Sequence, residues 1–123
     1  STKQKRKNRD LHGAASYVCQ NKEGQIHETE SISAGLDYPG VSPIHCFLKD
    51  TKRARYTFAT DEEALKAYEI VTQLEKLNPS LEPSHAFAEA IKIAPSLSKE
   101  TIIIVNSCGD AKKDRDILKE RLG

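Results

Sequence analysis

The chain is expected to fold as an α/β protein, with a parallel-type sheet flanked by helices and a hairpin toward its N-terminus. Three features of its 123 residues carry this expectation. Thr101–Val105 (Thr-Ile-Ile-Ile-Val) is a continuous β-branched run, the pattern of a strand covered on both faces. Two helical patterns precede it and a third follows, the alternation that builds parallel sheets through right-handed crossovers. An apolar fraction of 37% and a charged fraction of 30% suit one small folded domain.

Each element has a local cause. Residues 1–13 form a polar, basic arm, expected to be solvated, and 14–123 form the domain. Ala15–Gln20 and Gln25–Glu30 are short strand-like runs around Asn21-Lys22-Glu23-Gly24, a turn signal that predicts a hairpin. Ile32–Pro43 holds Gly35, Pro39, Gly40 and Pro43 and reads as a loop. A loop of that length inside a compact domain is usually functional. His45–Lys49 is expected to be a short helical turn, and Arg55–Ala59 is β-prone. Thr60 or Asp61 then caps a helix whose first turn carries Glu62 and Glu63. Ala64, Ala67, Tyr68, Val71 and Leu74 form its apolar stripe, and Asn78-Pro79 stops it. The next helix starts at Glu82-Pro83 with Glu82 as cap, because proline is favoured in a first turn. Phe87, Ala90, Ile91 and Ala94 are its expected buried stripe. Ala111–Leu122 is a charged helix with Ile117, Leu118 and Leu122 on one side.

Charge and cysteine narrow the function classes. The chain has 19 basic and 18 acidic side chains. The first nine residues take five of the bases and no acid, which leaves the remainder acidic. The arm holds no aromatic residue on which a base could stack, so nucleic acid is not the expected partner. No apolar run approaches the roughly 20 residues that span a bilayer. Cys19, Cys46 and Cys108 form no CxxC pair, and no apolar segment follows the basic start as in a signal peptide. Reduced thiols and a cytoplasmic location are expected.

In open α/β sheets, ligands collect beyond the carboxyl ends of strands, near helix N-termini. Two residues fall there: Glu82 at a helix start, and Cys108 between the β-branched run and the last helix. Glu82 is either a helix cap or a ligand-binding acid. Cys108 is either a small packing residue or a thiol made reactive by its setting. The Ile32–Pro43 loop displays Asp37 and Tyr38 between glycines, which predicts a pocket without naming its ligand.

The residues then become specific. Glu28–Val41 (Glu-Thr-Glu-Ser-Ile-Ser-Ala-Gly-Leu-Asp-Tyr-Pro-Gly-Val) resembles the cofactor-domain loop of tryptophan synthase β chains. The resemblance continues through Thr60–Leu65, Leu81–Ala86 and Ile103–Asn106, covering roughly residues 11–118. It implies the C-terminal portion of a fold-type-II pyridoxal phosphate enzyme, which replaces the hydroxyl of L-serine with indole to give L-tryptophan. It further implies an α-chain partner and a β–β dimer in the complete protein. Individual roles follow from the same resemblance. Gly35 would form pocket wall, and Asp37 would help close the site. Tyr38 and Gly40 would offer backbone carbonyls to a monovalent cation such as sodium or potassium. Glu82 would lie beside the cofactor ring.

The chain also departs from that family. Ser107-Cys108-Gly109-Asp110-Ala111 stands where the family has a serine-glycine-arginine-glycine loop. Either Cys108 fills the serine position against the ring nitrogen, with Gly109 following, or a one-residue shift uses Ser107. Glu30 replaces a histidine or tyrosine. The family's Schiff-base lysine, catalytic glutamate and glycine-rich phosphate cradle lie upstream of the matched region. This chain alone is therefore expected to be inactive. The alternative expectation is a non-catalytic ligand-binding or subunit-interaction module built on the same fold.

Overall fold

A computed structural model describes the chain at residues 7–11, 14–26 and 29–123, with the side chains of 7–11 and 14 left aside. Contacts group it into two compact units that meet at Thr57 and Phe58, where the sequence leads one to expect a single domain over 14–123. Among the described residues, no helix is long and apolar enough to cross a membrane.

The first unit is built on β1 (Lys7–Leu11) and β2 (Ala14–Val18), antiparallel with Lys7 opposite Val18 and Leu11 opposite Ala14. The hairpin thus lies one segment earlier than expected, and Lys7–Leu11 is a strand instead of part of a solvated arm. The expected Asn21–Gly24 turn does form. Asn21 closes it through its side chain, which accepts from the Gln25 amide at 2.8 Å, and Gly24 takes φ +83°. Beyond it, among the described residues, the two runs share the bridge Gln20 to Ile26 and form no strand pair with each other. Ser42 caps α1 (Pro43–Asp50), so Pro43 opens a helix instead of closing a loop. The helix lies along β2. Tyr17 donates to Asp50 at 2.7 Å, and the Lys49 ammonium sits 4.0 Å from the Tyr17 ring centre.

The second unit pairs α2 (Asp61–Glu75) with α3 (Leu81–Ile93), followed by α4 (Arg115–Leu122). Thr60 and Glu63 form a reciprocal capping box, which fixes the start of α2 at the expected residue. Ala64, Ala67 and Val71 are buried along the expected stripe, whereas Leu74 is 73% exposed. On α3 the buried face is Leu81, Ser84 and Ala88. Of the expected stripe, Phe87 and Ala90 are half-buried, whereas Ile91 and Ala94 are exposed.

No parallel sheet forms among the described residues. Thr101–Val105 pairs with no strand, and Ile102 and Ile104 are 86% and 90% exposed. A strand needs neighbours to satisfy its backbone, and the run finds none among the described residues. Arg55–Ala59 is likewise irregular.

Glu63 makes one pH dependence explicit. The Thr60 amide donates to its carboxylate and Lys92 adds to it, which together hold its pKa below the ordinary 4.5. A lowered folded value gives stability above the unfolded pKa that is lost as pH falls through the folded one. Glu63→Gln is therefore expected to flatten the fall in urea midpoint on acidification below about pH 4.5. An acid limb as steep as that of the unmodified chain would contradict this.

Candidate functional site at the start of α3

Gly35, Asp37, Tyr38 and Gly40 belong to the first unit, in a loop held down along its length. Cys19 donates its amide to the Pro39 carbonyl at 2.9 Å, and Val18 bridges Gly40. The Ser16 hydroxyl donates to the Val41 carbonyl and accepts from the Val41 amide. Ala34–Leu36 is a 3₁₀ turn between buried Ser33 and Asp37, so the segment has more structure than expected. Gly35, Asp37 and Tyr38 are exposed, while Gly40 is buried against β2. Among described glycines the left-handed φ values fall at Gly24 and Gly109, so neither Gly35 nor Gly40 adopts one.

The second unit brings Glu82 together with the Ser107–Gly109 segment. Glu82 is the second residue of α3, not its cap; Ser80 occupies the cap position and makes no side-chain cap bond. The capping oxygen comes instead from 33 residues away, where Asp114 Oδ2 accepts from the buried Leu81 amide at 2.9 Å. The Asp114 side chain is 5% exposed. Its other oxygen, Oδ1, accepts from Lys113 Nζ at 2.9 Å. The same ammonium donates to both oxygens of Glu82, at 2.9 and 2.8 Å. These bonds raise the Lys113 pKa above its ordinary value, Glu82 contributing most and Asp114 adding, against partial desolvation.

Sequence reasoning missed Lys113 and Asp114. The signal was a lysine and an aspartate at the mouth of a helix, which read as ordinary surface charge.

The loop before them is pinned over the same helix end. Ser80 donates to the Cys108 carbonyl at 3.1 Å, Pro79 bridges Asp110, and the Ala111 amide reaches the Asn78 carbonyl at 3.1 Å. Asp110 then caps a 3₁₀ turn, Ala111–Asp114, that leads into α4. Ser107, Cys108 and Gly109 are exposed on this loop. They follow an irregular run, not the buried strand expected before them.

Gly109 has φ +81°, and a Cβ there would lie 3.2 Å from Ser80 Oγ. Gly24 has a similar angle with open space around it. Gly109→Ala is expected to cost about 1–2 kcal/mol of backbone strain and also to displace the loop from Ser80. Gly24→Ala carries the backbone strain alone. Urea unfolding of the two variants should therefore show the larger loss at Gly109, and equal losses would refute the steric argument.

No family model matches the chain. Its relatives among characterised sequences are biosynthetic enzymes' chains of much greater length. It is 53% identical over 113 residues to a tryptophan synthase beta chain of Bordetella petrii, a match spanning 92% of this chain and 28% of the relative. The corresponding protein of Cereibacter sphaeroides is 51% identical over the same shares. That of Chromobacterium violaceum is 54% identical over 104 residues, or 85% of this chain and 26% of its own. The chain is thus homologous to the C-terminal segment of tryptophan synthase beta chains, spanning little more than a quarter of their length.

Proposed function

We propose that this chain is the C-terminal part of a pyridoxal-phosphate-dependent enzyme of the tryptophan synthase β type. The complete protein would join L-serine and indole into L-tryptophan with loss of water. When bound, the cofactor supplies an electron sink for bonds at the amino-acid α-carbon. This chain contributes groups that bind and orient.

The observation that carries the reading is the convergence of Glu82 and the Ser107–Gly109 loop at one helix end. A carboxylate fixed by a lysine, a hydroxyl, a thiol and a pinned backbone suit the polar rim of a pyridine ring. They do not suit its phosphate, for which a cradle of backbone amides is needed. We place the phosphate site and the Schiff-base lysine in the part of the relatives that this chain does not span.

Within that frame Glu82 borders the ring. Cys108, whose carbonyl accepts from Ser80, or Ser107 beside it would meet the ring nitrogen. A thiol is a weaker hydrogen-bonding group than a hydroxyl, so it holds the nitrogen's proton less firmly. By the family resemblance Asp37 and the Gly35 backbone, which belong to the first unit, are assigned to the substrate in the complete protein. The Tyr38 and Gly40 carbonyls offer hard oxygen ligands to a monovalent cation. Thr101–Val105 becomes a strand of the parallel sheet once its neighbours are present. The assembly would include a second β chain and an α chain. Three free cysteines accord with a cytoplasmic setting.

Co-expression tests this reading. The N-terminal segment of the Bordetella petrii relative, ending where the match begins, is produced with and without this chain. The expected result is a complex of the two pieces that retains pyridoxal phosphate through dialysis, with neither piece retaining it alone. An N-terminal piece that holds the cofactor equally well by itself would overturn it.

A further inference from the structure

We propose that Lys113 is a positioning residue that holds the Glu82 carboxylate in one place and in its ionised form. The inference rests on the reading that Glu82 borders the cofactor ring.

A lysine ammonium has three N–H donors. Here all three have acceptors, namely both oxygens of Glu82 and one of Asp114, at 2.8 to 2.9 Å. Isolated surface ion pairs hold little, because both long side chains must be ordered for one contact. This pair is different on one side. Asp114 is buried, and its second oxygen is committed to the first amide of the helix that carries Glu82. The 3₁₀ turn bearing Lys113 is tied at its start by the Ala111 amide to Asn78 and by the Asp110 cap. Helix, aspartate, lysine and glutamate therefore form a closed ring. Moving Glu82 means breaking two charge-assisted bonds to an ammonium whose third acceptor is buried.

The neighbouring charged groups that face this end of α3 are engaged with other partners. His85, one turn further along α3, directs Nδ1 to the Leu81 carbonyl and Nε2 toward Asp61 of α2. Lys112 lies 3.8 Å from Asp110. Asp114 is the second acid in contact with Lys113, so removing the ammonium leaves two carboxylates facing each other across its place. A like charge and a lost cation both disfavour the ionised acid. The raised pKa of Lys113 agrees with this arrangement.

The test reads the Glu82 carboxyl carbon by NMR across pH, in this chain and in Lys113→Met and Lys113→Arg. Lys113→Met is expected to move the Glu82 midpoint upward by about one pH unit, and Lys113→Arg to leave most of the original value. An unchanged midpoint in Lys113→Met overturns the proposal. Should Lys113→Met fail to fold, Glu82→Gln serves in its place, and the Lys113 Nζ midpoint must then fall toward that of an ordinary lysine.

A second arm follows the visible spectrum of pyridoxal phosphate against pH in the co-expressed complex. Lys113→Met is expected to shift that profile and Lys113→Arg to restore it. A profile that responds to Glu82→Gln but not to Lys113→Met overturns the positioning role. A profile that responds to neither, alongside a shifted Glu82 midpoint, overturns the placement of Glu82 by the ring and the proposal with it.

Discussion

Asp114→Ala is expected to cost this chain about 2–3 kcal/mol, the largest loss from any single side chain outside the apolar core. Two effects combine. The buried Leu81 amide loses its acceptor, and an unsatisfied buried donor costs about 1–3 kcal/mol. The replacement also removes a helix cap, worth about 0.5–2 kcal/mol on its own, and these figures overlap because they describe the same bond. Lys113 loses one of its three acceptors but keeps Glu82 and is half exposed, so its share is small. Domains of this size have about 5–15 kcal/mol in total, so the change is a substantial fraction. Asp114→Asn keeps an acceptor for Leu81 and should lose distinctly less. Urea unfolding followed at the helical circular dichroism band measures the cost, and hydrogen exchange at the Leu81 amide locates it. Full protection of that amide in Asp114→Ala would show that something else caps α3.

The second large effect depends on context. In this chain alone, Ile102→Lys with Ile104→Lys should change stability by less than about 0.5 kcal/mol, since both side chains already meet water. In the complex with the N-terminal segment, the same pair should prevent assembly. Burying an isoleucine is worth about 1.5–3 kcal/mol, and each replacement also asks the sheet to bury an ammonium. The change therefore goes from nothing to total within one sequence, according to whether the strand has neighbours. Size-exclusion chromatography of the co-expressed pieces reads the outcome. A complex that forms normally with both lysines would mean that Thr101–Val105 is no sheet strand.

What was legible in the residues follows the range of the forces involved. The α2 start was readable because Thr60 and Glu63 satisfy each other within one turn. So was the Asn21–Gly24 turn, closed by its own side chain. The buried stripe Ala64–Ala67–Val71 came from periodicity, yet Leu74 on the same stripe is exposed near the helix end. Across α3 periodicity was only partly right: Phe87 and Ala90 are half-buried and Ile91 is exposed, while the buried positions include the small residues Ser84 and Ala88. The β-branched run makes the same point more strongly: its pattern describes a strand with sheet partners that the described residues do not supply.

The candidate site was half legible. Glu82 and the Ser107–Gly109 loop were assigned to one place from their positions at helix and strand ends, and α3 does gather them. The means of gathering was not readable. A cap at Leu81 supplied by Asp114, and the bonds from Lys113 to Glu82, join residues more than 30 positions apart. No local rule connects positions at that distance. The expectation that Glu82 caps the helix failed because α3 begins one residue before it, at Leu81, with Ser80 in the cap position.

The most direct measurement of the central claim is L-tryptophan formed from L-serine and indole by a chimera, assayed by chromatography. In the chimera this chain replaces the matching segment of the Bordetella petrii relative. With pyridoxal phosphate present it is expected to make tryptophan, and Glu82→Ala in the chimera is expected to lose most of that rate. A folded, cofactor-loaded chimera that forms no tryptophan would contradict the claim that this chain is a working part of such an enzyme.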